Sequence, residues 1–167
     1  MPEKATLERA KKDKREGKAP STQAGEFVRE EIEHVREGKH GARSTKQAIA
    51  IGLSKARRSG VKLPPPEKGE ASEDTRRQAA RDVKKGQRAK KSVSRTRSQA
   101  AKKALKREGK SAASKKALSR QAKTAARKRT ASERSASARK AVKTKGPAKR
   151  KAAAKKAART RARKRST

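Results

Sequence analysis

The side chains with the most obvious chemical potential are two imidazoles and a cluster of carboxylates. His34 and His40 are the two histidines of the chain, and Glu30, Glu31 and Glu33 lie next to the first of them. Imidazole and carboxylate groups together can ligate a transition metal or act as a general acid and base. The sequence favours neither, because it shows no organised carboxylate partner for either histidine and the glutamates fit one solvated helix face. We therefore expect surface histidines, no metal, no cofactor, no catalytic residue and no enzymatic activity.

Lysine and arginine supply the chemistry that the sequence does favour, which is binding to phosphate. The chain holds 54 of them against 16 Asp and Glu, a net charge of +38 over 167 residues. Residues 1–70 contain 17 basic and 11 acidic residues, whereas residues 71–167 contain 37 and 5. This excess is larger than solubility requires, and a compact state would repel itself unless a polyanion neutralised it.

The basic half repeats a short unit in which a pair of basic residues stands between small residues. The unit occurs at 101–105, 114–118, 138–142 and 154–158, at spacings that do not keep one period. Each copy offers at most one aliphatic residue, so the repeat is low-complexity sequence that cannot bury a core. The residues expected to bind nucleic acid are Arg43, Lys46, Lys55, Arg57, Arg58, Lys102, Lys103, Lys115, Lys116, Arg127, Lys128, Arg129, Arg139, Lys140, Lys149, Arg150, Lys151, Lys155, Lys156, Arg159, Arg161, Arg163, Lys164 and Arg165.

Duplex DNA is the partner that this pattern favours. Base reading needs side chains on a rigid frame, and binding to single strands needs aromatic rings for stacking. Phe27 is the one aromatic residue of the chain. RNA stays an alternative, because structured RNA is also bound through its backbone. A membrane surface is disfavoured, since the basic half offers only scattered apolar anchors, such as Leu105, Leu118 and Val142.

The first 63 residues contain three helix candidates, at 3–16, 23–37 and 45–58. Ser44 and Gln47 have the spacing of a capping box at the start of the third candidate. The second and third candidates carry apolar residues at three- and four-residue spacing, which predicts an antiparallel hairpin. Its expected packing residues are Phe27, Val28, Ile32, Val35, Ile49, Leu53 and Ala56.

The sequence does not decide whether this hairpin mediates self-association or contacts DNA. Two helices bury little area, so the pair is marginal unless it forms a homodimer or gains a third helix. A helix-turn-helix reader is an alternative, in which residues 43–47 begin a recognition helix at base edges or phosphate. The link between the two helices is longer than such a turn usually is.

Composition and prolines predict the architecture. Ile, Leu, Val and Phe together number only 15 residues, and Pro64, Pro65 and Pro66 favour an extended connector. High charge over low hydrophobicity indicates disorder. We expect a mainly α fold without β-sheet: a charged N-terminal helix or tail at 1–20, a small helical hairpin at 21–63, a proline linker at 64–72, and a basic arm at 73–167 that is disordered or helical.

Two resemblances add to this interpretation. Residues 36–66, REGKHGARSTKQAIAIGLSKARRSGVKLPPP, resemble a small basic bacterial family of a domain of unknown function with a Lys-Gln-Ala-Ile-Ala-Ile-x-Leu-Ser-x-Ala-Arg helix. This resemblance implies a bacterial origin and no particular activity. The basic arm is similar in composition to the Lys/Ala-rich arms of bacterial histone H1-like proteins, which implies DNA as its partner.

The expected function is non-sequence-specific DNA binding, with compaction or bridging of DNA by a nucleoid-associated protein of the cytoplasm. The chain has no cysteine, no apolar run of membrane-spanning length and no secretion signal, in keeping with this location. Two alternatives stay open. One is an RNA- or ribosome-associated basic protein, and the other is an interaction module whose hairpin is functional and whose arm is a tether.

Overall fold

The computed structural model describes residues 2–88 and 94–165, and over these ranges the chain is helical. Its elements are α1 (Lys4–Arg15), α2 (Pro20–Glu37), α3 (Thr45–Arg58), α4 (Glu73–Gln87), α5 (Arg95–Lys106), a 3-10 helix (Ser111–Ala113), α6 (Lys115–Arg127) and α7 (Ala131–Arg165). The described ranges contain no β-strand, as expected. The chain divides into an N-terminal unit, Met1–Gln121, and a C-terminal unit, Ala122–Thr167.

Helices α2 and α3 form an antiparallel pair at the centre of the N-terminal unit. Helix α3 begins with the predicted capping residues: the Gln47 amide donates to Ser44 Oγ over 3.2 Å, and the Gln47 side chain accepts from the Arg43 amide over 2.8 Å. Gly52 of α3 lies against the backbone of Val28 in α2, where a Cβ would stand 2.6 Å from the Val28 Cα. The two helices therefore approach more closely than any larger residue at position 52 allows.

The core consists of two apolar clusters on either side of this contact. One contains Ile32, Val35, Ala42, Ala48, Ala112 and Ala113, with Val28 and Leu118 packed against it. The other contains Ala10, Ala24, Phe27 and Ala56, with Leu7, Leu53, Val61 and Leu63 around it. Of the expected packing residues, Ile49 is half-buried outside both clusters. Most of the buried residues in the two clusters are alanines, so the core depends on close backbone approach more than on large side chains.

The expected architecture of a small hairpin, a proline hinge and a long disordered or helical arm is wrong. Helix α1 packs on α2 through Leu7 and Ala10, and α4 packs on α3. Farther along, Ala112 and Ala113 are buried against α2 and α3. The N-terminal unit therefore contains further helical elements beyond the pair and continues far past residue 63.

The segments that dock on the pair do so through polar groups and alanines, which leave no hydrophobic periodicity in the sequence. Asp82 of α4 is 1% exposed and accepts hydrogen bonds from Ser54 Oγ over 2.6 Å and Arg58 Nε over 2.7 Å. The Thr45 hydroxyl donates to the Ala112 carbonyl over 2.7 Å, and Arg36 Nε donates to the Ala113 carbonyl over 2.9 Å. These bonds satisfy polar groups that would otherwise be costly to bury.

Local sequence features account for the beginning and the break of the long helix in the C-terminal unit. Thr130 and Glu133 form a capping box: the Glu133 amide donates to Thr130 Oγ1 over 3.2 Å, and the Thr130 amide donates to Glu133 Oε2 over 2.7 Å. Hydrogen bonds from the Thr130 backbone amide and then its hydroxyl hold the pKa of Glu133 below its ordinary value. Helix α7 is broken at Gly146, which has φ 66° and ψ 169° and precedes Pro147.

No described helix combines the length and the apolar character that crossing a bilayer requires.

The contact at Gly52 predicts a large difference between two glycine substitutions. Gly52→Ala pushes α3 away from α2 and should lower the free energy of unfolding by about 1–3 kcal/mol. Gly25→Ala is the matched control, because position 25 also lies inside a helix but leaves open space within 4 Å of where a Cβ would stand. It should be neutral or stabilising by up to about 1 kcal/mol, since alanine is the better helix former. Urea unfolding followed by circular dichroism measures both, and equal effects would contradict the close packing.

Candidate nucleic-acid interface

The densest exposed positive charge lies in the C-terminal unit. Residues 122–167 contain 19 Lys and Arg and a single acid, Glu133, a net charge of +18. Between residues 122 and 163 no side chain that the structure describes is buried, and even Val142 is 45% exposed. The basic side chains stand on every side of α7, so this unit presents charge in all directions around its helices and offers no apolar face.

The charge spacing of this unit is matched to a phosphate backbone. Helix α7 carries 15 basic residues and one acid over 35 residues, a net charge of +14, which corresponds to about one charge per 3.8 Å of helix at a rise of about 1.5 Å per residue. Duplex DNA carries one negative charge per about 1.7 Å of its axis. One such helix lying along a groove would therefore offset somewhat under half of the DNA charge beside it.

The predicted residues of the C-terminal unit are exposed wherever the structure describes their side chains. They are Arg127, Lys128, Arg129, Arg139, Lys140, Lys149, Arg150, Lys151, Lys155, Lys156, Arg159, Arg161 and Arg163. The side chains of Lys164 and Arg165 lie outside what the structure describes. Lys123, Arg134, Lys143 and Lys145 are exposed as well and belong to the same surface. The prediction from sequence did not include these four residues.

A second exposed basic group belongs to α5 and α6 of the N-terminal unit. Lys102, Lys103, Lys115 and Lys116 are exposed, while Ala112 and Ala113 beside the last two are buried. The alternation of alanine and lysine thus separates a packing side from a charged side. These four lysines are free of the core and add to the positive surface.

The basic residues predicted to bind nucleic acid on and before α3 differ in their exposure to solvent. Arg43 and Lys46 are exposed. Lys55 lies 2.5 Å from Glu31 Oε2 and 3.6 Å from Glu30 Oε1, and its side chain is partly buried. Its charge is therefore neutralised inside the fold by two carboxylates of α2.

Arg57 and Arg58 also make internal bonds. Arg57 is 7% exposed and donates to the carbonyl oxygens of Leu63 over 3.3 Å and Pro64 over 3.1 Å, which fastens the proline segment to α3. Burial lowers the pKa of its guanidinium from the ordinary value. Arg58 pairs with buried Asp82 over 2.7 Å but is half-exposed. Local sequence patterns do not point to these acceptors, because they come from other elements of the fold.

The start of α3, proposed above as an alternative recognition helix, is covered on one side. Thr45 is 8% exposed and is bonded to Ala112. Arg43 and Lys46 face solvent on the other side. The helix-turn-helix interpretation stays a prediction, in which Arg43 and Lys46 are the two exposed cations available to contact DNA.

Residues 11–68 match the sequence model of a family described as Family of unknown function (DUF6496). This match confirms the resemblance of residues 36–66 to a family of a domain of unknown function. It covers the last turn of α1, all of α2 and α3, and Pro64–Pro66, and it ends before α4. No curated protein and no solved structure matches the chain.

The internal bonds of Arg57 predict that structural and exposed cations respond differently to substitution. Arg57→Gln removes two hydrogen bonds to backbone carbonyl groups and should lower the free energy of unfolding by about 1–3 kcal/mol. Its effect on the salt dependence of DNA binding should be nil. Arg43→Gln, at an exposed position, should change stability by less than about 0.5 kcal/mol.

Thermal unfolding and fluorescence anisotropy with a labelled duplex give both quantities for each variant. A reduced salt slope for Arg57→Gln at unchanged stability would show that Arg57 contacts phosphate, against the structure.

Proposed function

We propose that this protein binds duplex DNA without sequence specificity and acts as a nucleoid-associated, histone H1-like architectural protein. The observation that carries the proposal is the C-terminal unit, whose 19 basic residues are accompanied by one acid. None of its described side chains is buried. A helix with neither an apolar face nor counter-charges of its own gains most from a polyanion, because each phosphate contact releases a condensed counterion.

Duplex DNA suits the unit better than single strands do. The unit contains no aromatic residue on which a base could stack. Its long, flexible side chains stand on an exposed helix, whereas direct base reading requires side chains positioned on a rigid frame. Phosphate contact without base contact gives binding that is tight, salt-sensitive and indifferent to sequence.

The N-terminal unit has a different proposed part. Its acids neutralise its own cations at several places, such as Lys55 with Glu31 and Arg58 with Asp82. Self-association through this unit would supply two basic C-terminal units per particle, which bridging of two DNA segments requires. We propose this homodimer as the means of compaction, and we propose a binding role with no catalysis.

Removal of α7 tests the proposal. A chain ending at Thr130 lacks 15 of the Lys and Arg residues and keeps α6 intact. If roughly 15 to 20 residues of the whole protein touch phosphate, the log–log slope of affinity against salt should be about −14 to −18. Truncation should reduce the magnitude of that slope by about 0.9 for each phosphate that is no longer neutralised. Anisotropy titrations of a labelled duplex at several salt concentrations measure both proteins.

The control is a full-length variant in which six lysines and arginines of α7 are exchanged between the two residue types. It keeps the charge and should keep the slope. An unchanged slope after truncation would contradict the proposal. Tighter binding to structured RNA than to duplex DNA at matched salt would favour an RNA- or ribosome-associated role. If cells that produce only the truncated protein behave like cells that produce the full chain, an interaction module with a tether would be favoured.

A further inference from the structure

Glu31, His34 and His40 lie close together where α2 ends and the link to α3 folds back. One ligating atom from each of the three lies within 4.8 Å of the others. Glu31 and His34 lie one turn apart on the same face of α2, and His40 reaches them from the link. The expectation that the two histidines lack a carboxylate partner is therefore wrong, because the chain reversal at residues 38–44 places His40 against Glu31 and Glu3 lies against His34.

His40 is held with one ring nitrogen fixed. A carbonyl oxygen can only accept, so the 3.1 Å contact between His40 Nδ1 and the Gly41 carbonyl makes Nδ1 the donor. In the neutral ring, the lone pair is then on Nε2, which faces Glu31 Oε1 at 3.2 Å. A lone pair opposite a carboxylate oxygen is repulsive unless a cation lies between them, either a proton or a metal ion. Backbone bonding of the second nitrogen is the usual support of a ligating histidine.

Glu31 is a buried carboxylate whose two oxygens have different surroundings. Oε2 is 2.5 Å from Lys55 Nζ. Oε1 is 3.2 Å from His40 Nε2, and neither oxygen receives a hydrogen bond, although the side chain is 1% exposed. An unbonded oxygen of a buried carboxylate is costly. A metal on Oε1 would remove that cost and leave the Lys55 ion pair in place.

His34 also has the surroundings of a ligand. Its Nε2 lies 2.8 Å from Glu3 Oε1, and its side chain is 13% exposed. Carboxylate partners of this kind orient ligating histidines.

Two imidazoles and one carboxylate form a donor set that suits Zn²⁺ and its neighbours among the divalent transition metals. Ligand atoms about 2.0–2.1 Å from a tetrahedral metal stand about 3.4 Å apart. The His40–Glu31 distance of 3.2 Å already matches this spacing. The widest pair, within 4.8 Å, would have to close by up to about 1.4 Å to reach this spacing. We propose that Glu31, His34 and His40 bind one divalent transition-metal ion, with Zn²⁺ as the reference metal.

The site connects two parts of the N-terminal unit. The amides of Gly41 and Ala42, directly after His40, donate to the carbonyl oxygens of Leu105 over 2.9 Å and Gly109 over 3.1 Å. A Cβ at position 41 would collide with the Glu108 carbonyl, so this contact leaves no room for a side chain. Metal binding at His40 would fix the link on which the end of α5 rests and would stabilise that docking.

Zn²⁺ titration of the full chain tests the site. The protein should be tag-free, nuclease-treated and dialysed against chelator, since tags and nucleic acid bind metals themselves. We expect one Zn²⁺ per chain by calorimetry, a rise in the thermal midpoint, and visible absorption bands with Co²⁺. The chain has no cysteine and no other histidine, so an imidazole signature can arise only here. Zn²⁺ should shift the ring resonances of both histidines in NMR spectra of the unaltered protein.

Substitutions assign the ligands. His34→Gln and His40→Gln should each weaken Zn²⁺ binding by more than about tenfold, since even loss of an outer-shell partner has an effect of that size. Glu33→Gln is the matched control, because Glu33 lies on α2 beside the site and pairs with Arg29 on the exposed face. It should bind Zn²⁺ as the unaltered chain does. Circular dichroism checks that each variant is folded.

Unshifted histidine resonances at saturating Zn²⁺ would overturn the site without any variant. Equal affinity in His40→Gln and the unaltered chain, or equal loss in Glu33→Gln, would also overturn it. None of these results bears on DNA binding by the C-terminal unit, so the two proposals stand or fall separately.

Discussion

The scarcity of carboxylates governs this structure. The chain has 16 acidic residues for 54 basic ones, and a single acid lies beyond residue 121. In the N-terminal unit, buried acids receive internal cations: Glu31 faces Lys55, and Asp82 binds Arg58 and Ser54. A buried charge is tolerated only when it is paired. The acids thus neutralise part of the positive charge of the N-terminal unit, whereas the C-terminal unit keeps its charge on the surface.

A core can form under this constraint because it needs few large side chains. Phe27 and Val35 are fully buried, but most of the remaining apolar core is alanine. Small residues let helix backbones approach closely, as at Gly52 against Val28 and at Gly86 against Arg57. Backbone and side-chain hydrogen bonds to residues 105–113 then complete the unit. Dispersion between closely packed backbones replaces the missing aliphatic volume.

The sequence was sufficient for the parts of the fold that obey local rules. The capping residues of α3 and the apolar spacing of α2 and α3 lie within a few residues of one another, so they could be recognised directly. The docking of α4 could not be recognised from sequence, because it depends on contacts of Asp82 with Ser54 and Arg58, which lie far away along the chain. The spacing of Thr130 and Glu133 is that of a capping box, and the structure shows its hydrogen bond. The high net charge around these residues nevertheless led to a prediction that the arm is disordered or helical.

The basic surface and the group of Glu31, His34 and His40 differ in the same way, since one follows from local sequence and the other from tertiary structure. The exposed basic residues of the C-terminal unit followed from composition, whereas the internal bonds of Lys55, Arg57 and Arg58 required tertiary structure. The group of Glu31, His34 and His40 joins residues from both sides of a chain reversal, and sequence spacing alone could not place His40 against α2.

Hydrogen–deuterium exchange of the full protein, with and without a duplex of about two helical turns, tests the central claim most directly. Exposed helices open locally far more often than core helices do, so a bound polyanion should slow exchange chiefly along α7. The account predicts strong added protection over residues 131–165 and little change in the buried parts of α2 and α3. Added protection confined to α2 and α3, with α7 unaffected, would contradict it.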